Sequence, residues 1–259
     1  MSKNGPITLI KIGGSTLGAE DTSLADVAAL QAAGERVVIV HGGGPEITSW
    51  MGKLGIRAEF VRGLRVTDGP SLEVATAVLA GLINKRLVAA LAAEGARAVG
   101  LCGADGGLVR GAITDPALGR VAGAVSIDPA LVYALLKAGY VPVIAPIGAE
   151  DGPEGGLVNV NADTVAGSIA VALEAQRLVY LTDVDGVMDA NGRVLSLLSP
   201  DMAEGLMASG VAKGGMIPKL EACVGAARAG LGAHIVNGTR PSALRAVLGA
   251  RPGGTTVRA

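Results

Sequence analysis

The chain has 259 residues, with 22 Lys and Arg against 23 Asp and Glu and a formal net charge of -1, so it carries no broad electrostatic footprint for nucleic acid or anionic lipid. Half of it is hydrophobic, but with one Phe, three Tyr and one Trp the core must be built from Ala, Val, Leu and Ile, and a base-stacking platform for single strands is excluded. At roughly 100–200 residues per domain the length suits one large domain or two lobes sharing a sheet.

In chain order, Ile7-Thr-Leu-Ile-Lys-Ile12 reads as a strand, and its Lys11 stands directly before Ile12-Gly13-Gly14-Ser15. Arg36-Val-Val-Ile-Val40 reads as a second strand ending in His41-Gly42-Gly43-Gly44-Pro45. Pro45 suits the first position of a helix, where its missing N–H would have been unpaired anyway. Leu72, Ala75, Leu79, Leu82, Ile83 and Leu87 keep the 3- and 4-residue spacing of a helix with one buried face. Ala98-Val-Gly-Leu101 reads as a strand, and two short runs around Asp115-Pro116, from Gly107 to Ile113 and from Arg120 to Val125, read as a β-hairpin that interrupts the alternation. Val141-Pro-Val-Ile144 is the next strand. Asn159-Val-Asn-Ala-Asp163 then opens a helix carried by Ala162, Val165, Ile169 and Ala172, with Asn161 as N-cap and Asp163 as a first-turn acid. The strand Leu178-Val-Tyr-Leu181 runs into Thr182-Asp-Val-Asp-Gly-Val-Met188. Lys213-Gly-Gly-Met-Ile-Pro-Lys219 opens a helix whose buried positions are Met216, Leu220, Val224 and Ala227, and Ala233-His-Ile-Val236 is the last strand. Strands separated by helices imply an α/β protein with a parallel sheet.

Cys102 and Cys223 belong to no Cys-x-x-Cys pair and sit among apolar residues, which reads as two buried thiols in a reducing cytoplasm. The apolar run from Ile7 to Ile10 is too short for a signal peptide, and no uninterrupted run approaches the ~18 residues of a membrane span. The expectation is a cytoplasmic protein that meets small molecules, not nucleic acid or membrane.

Ligands of open parallel sheets bind beyond the carboxyl ends of strands, so an ammonium there, followed by backbone without side chains, points to a phosphate site. The alternative for Lys11 alone is a solvated lysine beside a tight turn. A helix starting just after three glycines exposes N–H groups that attract anions, although the spacing is neither Gly-x-Gly-x-x-Gly nor the Walker pattern. His41 reads as a strand-end packing residue, and Arg65 as either a carboxylate fork or a partner of Asp68.

Taken together, Lys11-Ile-Gly-Gly14, His41-Gly-Gly-Gly44, Gly63-Leu-Arg-Val-Thr-Asp68, Asn84-Lys85, Asn159-Val-Asn-Ala-Asp163, Thr182-Asp-Val-Asp-Gly186 and Gly214-Gly-Met-Ile-Pro-Lys219 resemble the successive motifs of the amino-acid kinase family, in the family's order and over nearly the whole chain. The resemblance is to the branch that phosphorylates N-acetylglutamate. It implies a three-layer α/β/α sandwich with a mainly parallel open sheet, an N-terminal lobe (1–155) for the acyl amino acid and a C-terminal lobe (156–259) for ATP, whose γ-phosphoryl passes to the side-chain carboxylate of N-acetyl-L-glutamate in arginine biosynthesis. Carried onto matching positions, Lys11 and Lys219 stabilise the transition state and Asp163 organises them. Gly43, Gly44, Arg65 and Asn159 hold the acyl amino acid. Gly13, Gly14, Thr182, Asp183, Val184, Asp185, Gly186, Val187, Met188, Val211, Ala212, Lys213 and Met216 line the nucleotide site. Mg²⁺ arrives on the nucleotide phosphates, with no protein metal site. At one position the chain departs from the pattern, with Ala104 after Gly103 where many relatives carry lysine.

Two alternatives stay open: a kinase for α-aminoadipate or glutamate borne on a small acidic carrier protein, for which Arg57, Arg62 and Arg65 offer a basic rim, and a non-catalytic nucleotide binder of the same fold. Only ten residues precede Lys11, leaving no space for the N-terminal helix that links ring-forming, arginine-inhibited relatives. The expectation is therefore a homodimer that meets along the helix near Leu72 to Leu91 and does not respond to arginine.

Overall fold

In the computed structural model, residues 5–14, 22–152, 155–249 and 253–259 are described. The strands in chain order are β1 (Ile7–Ile12), β2 (Arg36–His41), β3 (Phe60–Val61), β4 (Leu64–Arg65), β5 (Ala98–Cys102), β6 (Val109–Ile113), β7 (Ala122–Ile127), β8 (Val141–Ala145), β9 (Ile147–Glu150), β10 (Leu157–Asn159), β11 (Arg177–Thr182), β12 (Leu197–Leu198), β13 (Gly232–Asn237) and β14 (Thr255–Val257). The α-helices are α1 (Ser23–Ala32), α2 (Gly44–Lys53), α3 (Gly69–Thr76), α4 (Asn84–Ala93), α5 (Ala130–Lys137), α6 (Ala162–Ala172), α7 (Pro200–Ala208), α8 (Met216–Arg228) and α9 (Ala243–Leu248).

Eight strands form one sheet in the order β12-β14-β13-β11-β1-β2-β8-β5, and among the described residues every ladder in it is parallel except β13 with β14. Its central strands are apolar along their length because both faces are covered. Side chains alternate between those faces. Leu9, Val38, Val40, Leu178 and Tyr180 pack against Val165 and Ile169 of α6 and Leu220 and Val224 of α8. Ile10, Ile12, Val37, Ile39, Val179 and Leu181 pack against Val27 of α1, Leu87 and Leu91 of α4 and Leu244 of α9. The result is the expected α/β/α arrangement. The sheet's two halves divide by sequence: four strands from before residue 146 lie on one side of the β1–β11 ladder and four from after residue 176 on the other.

The hairpin expected around Asp115-Pro116 forms as β6 paired antiparallel with β7, and its connection holds a short 3₁₀ turn at Pro116–Leu118. It belongs to a second sheet, β10-β9-β6-β7, whose strands β9 and β10 are too short and glycine-flanked to stand out by periodicity. This small sheet matters because β10 ends at Asn159. A further pairing absent from the sequence reading joins β3 to β4 through Arg62 and Gly63, both at positive φ (51° and 81°), the backbone of a tight two-residue hairpin turn that glycine adopts without penalty.

The helix expected near Leu72 to Leu87 spans Gly69–Ala93, and its 25 residues, with an 18-residue window at a mean hydropathy of 1.6, make it long and apolar enough to cross a membrane by composition. Counting only uninterrupted apolar runs overlooks it. Its Leu72, Val74, Ala75, Val78, Leu79, Leu87 and Leu91 are buried within the domain, as in a core helix. Between α3 and α4 it is π-helical over Ala77–Ile83, a local widening that a 3.6-residue periodicity does not reveal. Of the two cysteines expected to be buried, Cys223 is, whereas Cys102 is only half buried, because β5 is the edge strand of the large sheet.

Candidate active site

Lys11 lies near the carboxyl end of the central strand β1, on the face covered by α6 and α8. Asn161 caps α6 by accepting from the N–H groups of Asp163 and Thr164 (2.8 and 3.2 Å), which fixes Asp163 in the first turn with its carboxylate aimed at the strand ends. Lys219 comes from the first turn of α8. The three converge: Lys11 Nζ is 2.8 Å from Asp163 Oδ1, and Lys219 Nζ is 3.0 Å from Oδ2 and 3.1 Å from Oδ1. All three are buried. Burial alone would push the Asp163 carboxyl up, but the two ammonium groups and their hydrogen bonds hold it below its ordinary 3.8. For Lys219, burial and the neighbouring Lys11 charge outweigh the carboxylate, and its pKa falls below the usual 10.5. A lone carboxylate thus holds two cations side by side, an arrangement suited to a ligand bringing several negative charges.

His41, expected as a packing residue, is buried at the end of β2. Its Nδ1 lies 3.0 Å from the Gly42 carbonyl, which can only accept, so the proton sits there and Nε2 accepts from Asn84 Nδ2 at 3.2 Å. The Asn84 amide also donates to the Val143 carbonyl (2.8 Å) and the Leu101 carbonyl (3.3 Å), tying the glycine turn to β8 and β5. Above this turn, a Cβ on Gly43 would meet the side-chain ends of Ile83 and Leu79 of the π-helical segment, which would have to shift to admit it. Burial lowers the His41 pKa to about 4. Between its ordinary 6.5 and that value the unfolded chain binds more protons than the native one, so the stabilisation from neutral His41 is complete above pH 6.5 and is lost on acidification. From pH 7 to pH 5 wild-type stability in urea titrations should fall by about 2 kcal/mol on this account, and His41→Gln should flatten that slope. Equal slopes for both proteins would refute the assignment.

Arg65 is buried and does not pair with Asp68, which instead caps α3 by accepting from Ser71 N–H at 2.9 Å. Its guanidinium donates to the Gly44 carbonyl (3.0 Å) and Thr48 Oγ1 (2.8 Å) and lies 4.7 Å from the Phe60 ring centroid. Asn159 Nδ2 donates to Thr67 Oγ1 at 3.1 Å, and Thr67 donates to the Arg65 carbonyl at 2.9 Å. Thr67, fully buried, was not singled out from the sequence, although it falls inside the Gly63–Asp68 motif. Lys11, Gly14, Gly43, Gly44, Arg65, Asn159 and Asp163 line one cavity of about 240 Å³, and Lys219 joins it through Asp163.

The residues expected at a nucleotide do not line this cavity, except Gly14. Gly13 lies beside it, its N–H donating to the Leu181 carbonyl at 3.2 Å. Thr182 ends β11, and Asp183, Val184, Asp185, Gly186, Val187 and Met188 form the turn beyond it. There Asp185 accepts from Asn237 (2.8 Å) and Arg240 (2.7 Å), and Val187 N–H donates to Thr255 Oγ1 (2.8 Å). Val211, Ala212 and Lys213 lead into α8, where Met216 is the first residue. Ser15, in the sequence motif after Lys11, lies outside the described residues.

The profile of the Amino acid kinase family matches residues 6–237. The acetylglutamate kinase of Dehalococcoides mccartyi is 45% identical over 97% of this chain and 94% of its own length, and that of Dinoroseobacter shibae is 46% identical over 92% and 83%. Among solved structures, smu.665 from Streptococcus mutans UA159 superposes with a TM-score of 0.84 at 28% identity, covering 97% of this chain and 98% of that one. N-acetylglutamate synthase from Neisseria gonorrhoeae, complexed with coenzyme A and N-acetyl-glutamate, gives 0.83 at 28% identity over 99% of this chain and 60% of its own.

Proposed function

Since the chain belongs to the amino acid kinase family, we infer that it transfers the γ-phosphoryl group of ATP to the side-chain carboxylate of N-acetyl-L-glutamate, a step of arginine biosynthesis, and that Lys11, Lys219 and Asp163 are the groups that do so. The observation that carries the assignment of roles is the pair of buried ammonium groups on one carboxylate at the strand ends. A carboxylate acceptor, with an ordinary pKa of ~4.3, is already ionised at neutral pH, so the reaction needs no general base. The barrier is lowered by alignment and by cations over the transferring oxygens.

The acyl amino acid occupies the cavity between the Gly42–Gly44 turn and Arg65 of the N-terminal lobe (1–155), closed by Asn159 from the start of the C-terminal lobe (156–259), and the nucleotide lies over the C-terminal lobe, along the turn after β11 and the approach to α8. Thr182, Asp183, Val184, Asp185, Gly186, Val187, Met188, Val211, Ala212, Lys213 and Met216 contact it there, with Gly13 and Gly14 facing its phosphates. Among the described residues no cluster of three or more His, Cys, Asp or Glu could hold a metal, and both Asp163 oxygens are engaged by lysines. Mg²⁺ would arrive on the nucleotide phosphates and supply charge neutralisation there. The enzyme works in the cytoplasm as a homodimer, for which the exposed side of the Gly69–Ala93 helix, including Ala77, Gly81 and Ala89, is the contact we favour.

Coupled ADP release tests the assignment. Release should depend on N-acetylglutamate and be absent with glutamate or free α-aminoadipate, and a protein that binds ATP without any N-acetylglutamate-dependent release would overturn it. Arg65→Ala should raise KM for N-acetylglutamate by at least tenfold and leave KM for ATP nearly unchanged, because it removes a fork for the non-reacting carboxylate. Equal increases for both substrates would indicate only a brace for the Gly44 turn.

A further inference from the structure

Tyr180 stands alone as an aromatic in the core strand β11. Parallel pairing sets it directly beside Lys11, so both side chains point to the same face. It is fully buried, and its hydroxyl donates to the Asp163 carbonyl at 3.0 Å. Its ring centre is 5.0 Å from Lys219 Nζ. The other charged or titratable groups facing that ammonium are Asp163 of α6, Lys11 of β1 and Cys223 one turn along α8. Of these, one is anionic, one cationic and one a thiol whose pKa burial drives up. Lys219 is therefore a cation with little water, a like charge nearby and a carboxylate that it shares.

We propose that Tyr180 is a positioning residue for phosphoryl transfer, its ring face helping to keep Lys219 protonated and aimed at the cavity while its hydroxyl anchors the start of α6 that carries Asp163. A ring face attracts a cation most where water is excluded, and the tyrosine itself stays neutral because burial pushes its own pKa well above 10. The hydroxyl and the ring thus hold Asp163 and Lys219 from beneath by separate contacts. This inference rests on the role given above to Lys219.

The test varies the ring's electrostatics at constant shape. Tyr180→Phe serves as the parent, and mono-, di- and trifluorinated phenylalanines at the same position weaken the negative ring face in steps. The chain has seven lysines, so Lys219 can be followed directly by NMR of ¹³Cε-labelled lysine, with Lys219→Arg to assign its signal. Its pKa should fall stepwise along the series by about half to one unit in total. The alkaline limb of the kcat–pH profile should move down with it, and KM for N-acetylglutamate should stay within about twofold across the series. A Lys219 pKa that does not move along the series overturns the proposal and leaves Tyr180 as packing. Near-wild-type turnover in Lys219→Ala would instead bring down the functional reading, and the NMR series would still decide what the ring does to the ammonium.

Discussion

Replacing Lys219 or Lys11 with alanine should lower turnover by about 10²- to 10⁴-fold, the scale seen when one fixed electrostatic stabiliser of a developing charge is deleted. Each lysine is held within 3.1 Å of Asp163 and is buried, so in the proposed role its charge would act through little water and cost no rearrangement at the moment of transfer. The fold should survive, because Asp163 keeps a cationic partner in either variant. Steady-state rates, with circular dichroism as a control on folding, make the measurement. A folded Lys11→Ala or Lys219→Ala enzyme with turnover within threefold of wild type would remove the lysines from the mechanism.

Asp163→Asn should unfold more easily by about 3–5 kcal/mol, since it strands two buried ammonium groups without a counter-charge. Its dependence on pH has a definite sign. The folded-state pKa of Asp163 is lowered, so wild type holds its contribution at all pH values above the ordinary 3.8 and loses it only as pH falls through the lower folded value. In the variant, Lys219, whose pKa burial already lowers, can shed its charge by deprotonating, which becomes easier as pH rises. Urea titrations at pH 7 and pH 9.5 should therefore show the gap between wild type and Asp163→Asn narrowing at the higher pH. A gap that is the same at both would mean that the cost is lost packing rather than stranded charge. Adding Lys11→Met and Lys219→Met to Asp163→Asn should recover stability while leaving the protein inactive.

Most of the architecture is legible in the sequence because it depends on local or periodic signals. The continuous apolar runs of β1 and β2, the 3- and 4-residue spacing in α6 and α8, the Asn161 cap and the proline after Gly44 each specify an element through the residues within it. Several signals also point at chemistry before any pairing is known, notably a lysine at a strand end before glycines, a first-turn Asp behind an Asn cap, and a second lysine in the first turn of a later helix. Short elements escape this reasoning. β3, β4, β9 and β10 have two to four residues each, too few to show a period, and they exist because neighbouring strands offer hydrogen-bond partners. Those elements carry Arg65 and Asn159.

The sequence by itself therefore determined the α/β class, the identity of the cationic and acidic residues, and their attachment to strand ends and helix starts. Only the tertiary structure decided that Lys11, Asp163 and Lys219, separated by 152 and 56 positions in the chain, share one buried contact, that Arg65 turns inward to Gly44 and Thr48 rather than outward to Asp68, and that Tyr180 lies beneath Lys219. The physical reason is register. A strand's side chains alternate with a period of two, so which residue of β11 stands beside Lys11 is fixed by the pairing of two strands more than 160 residues apart, and nothing local to either strand encodes it.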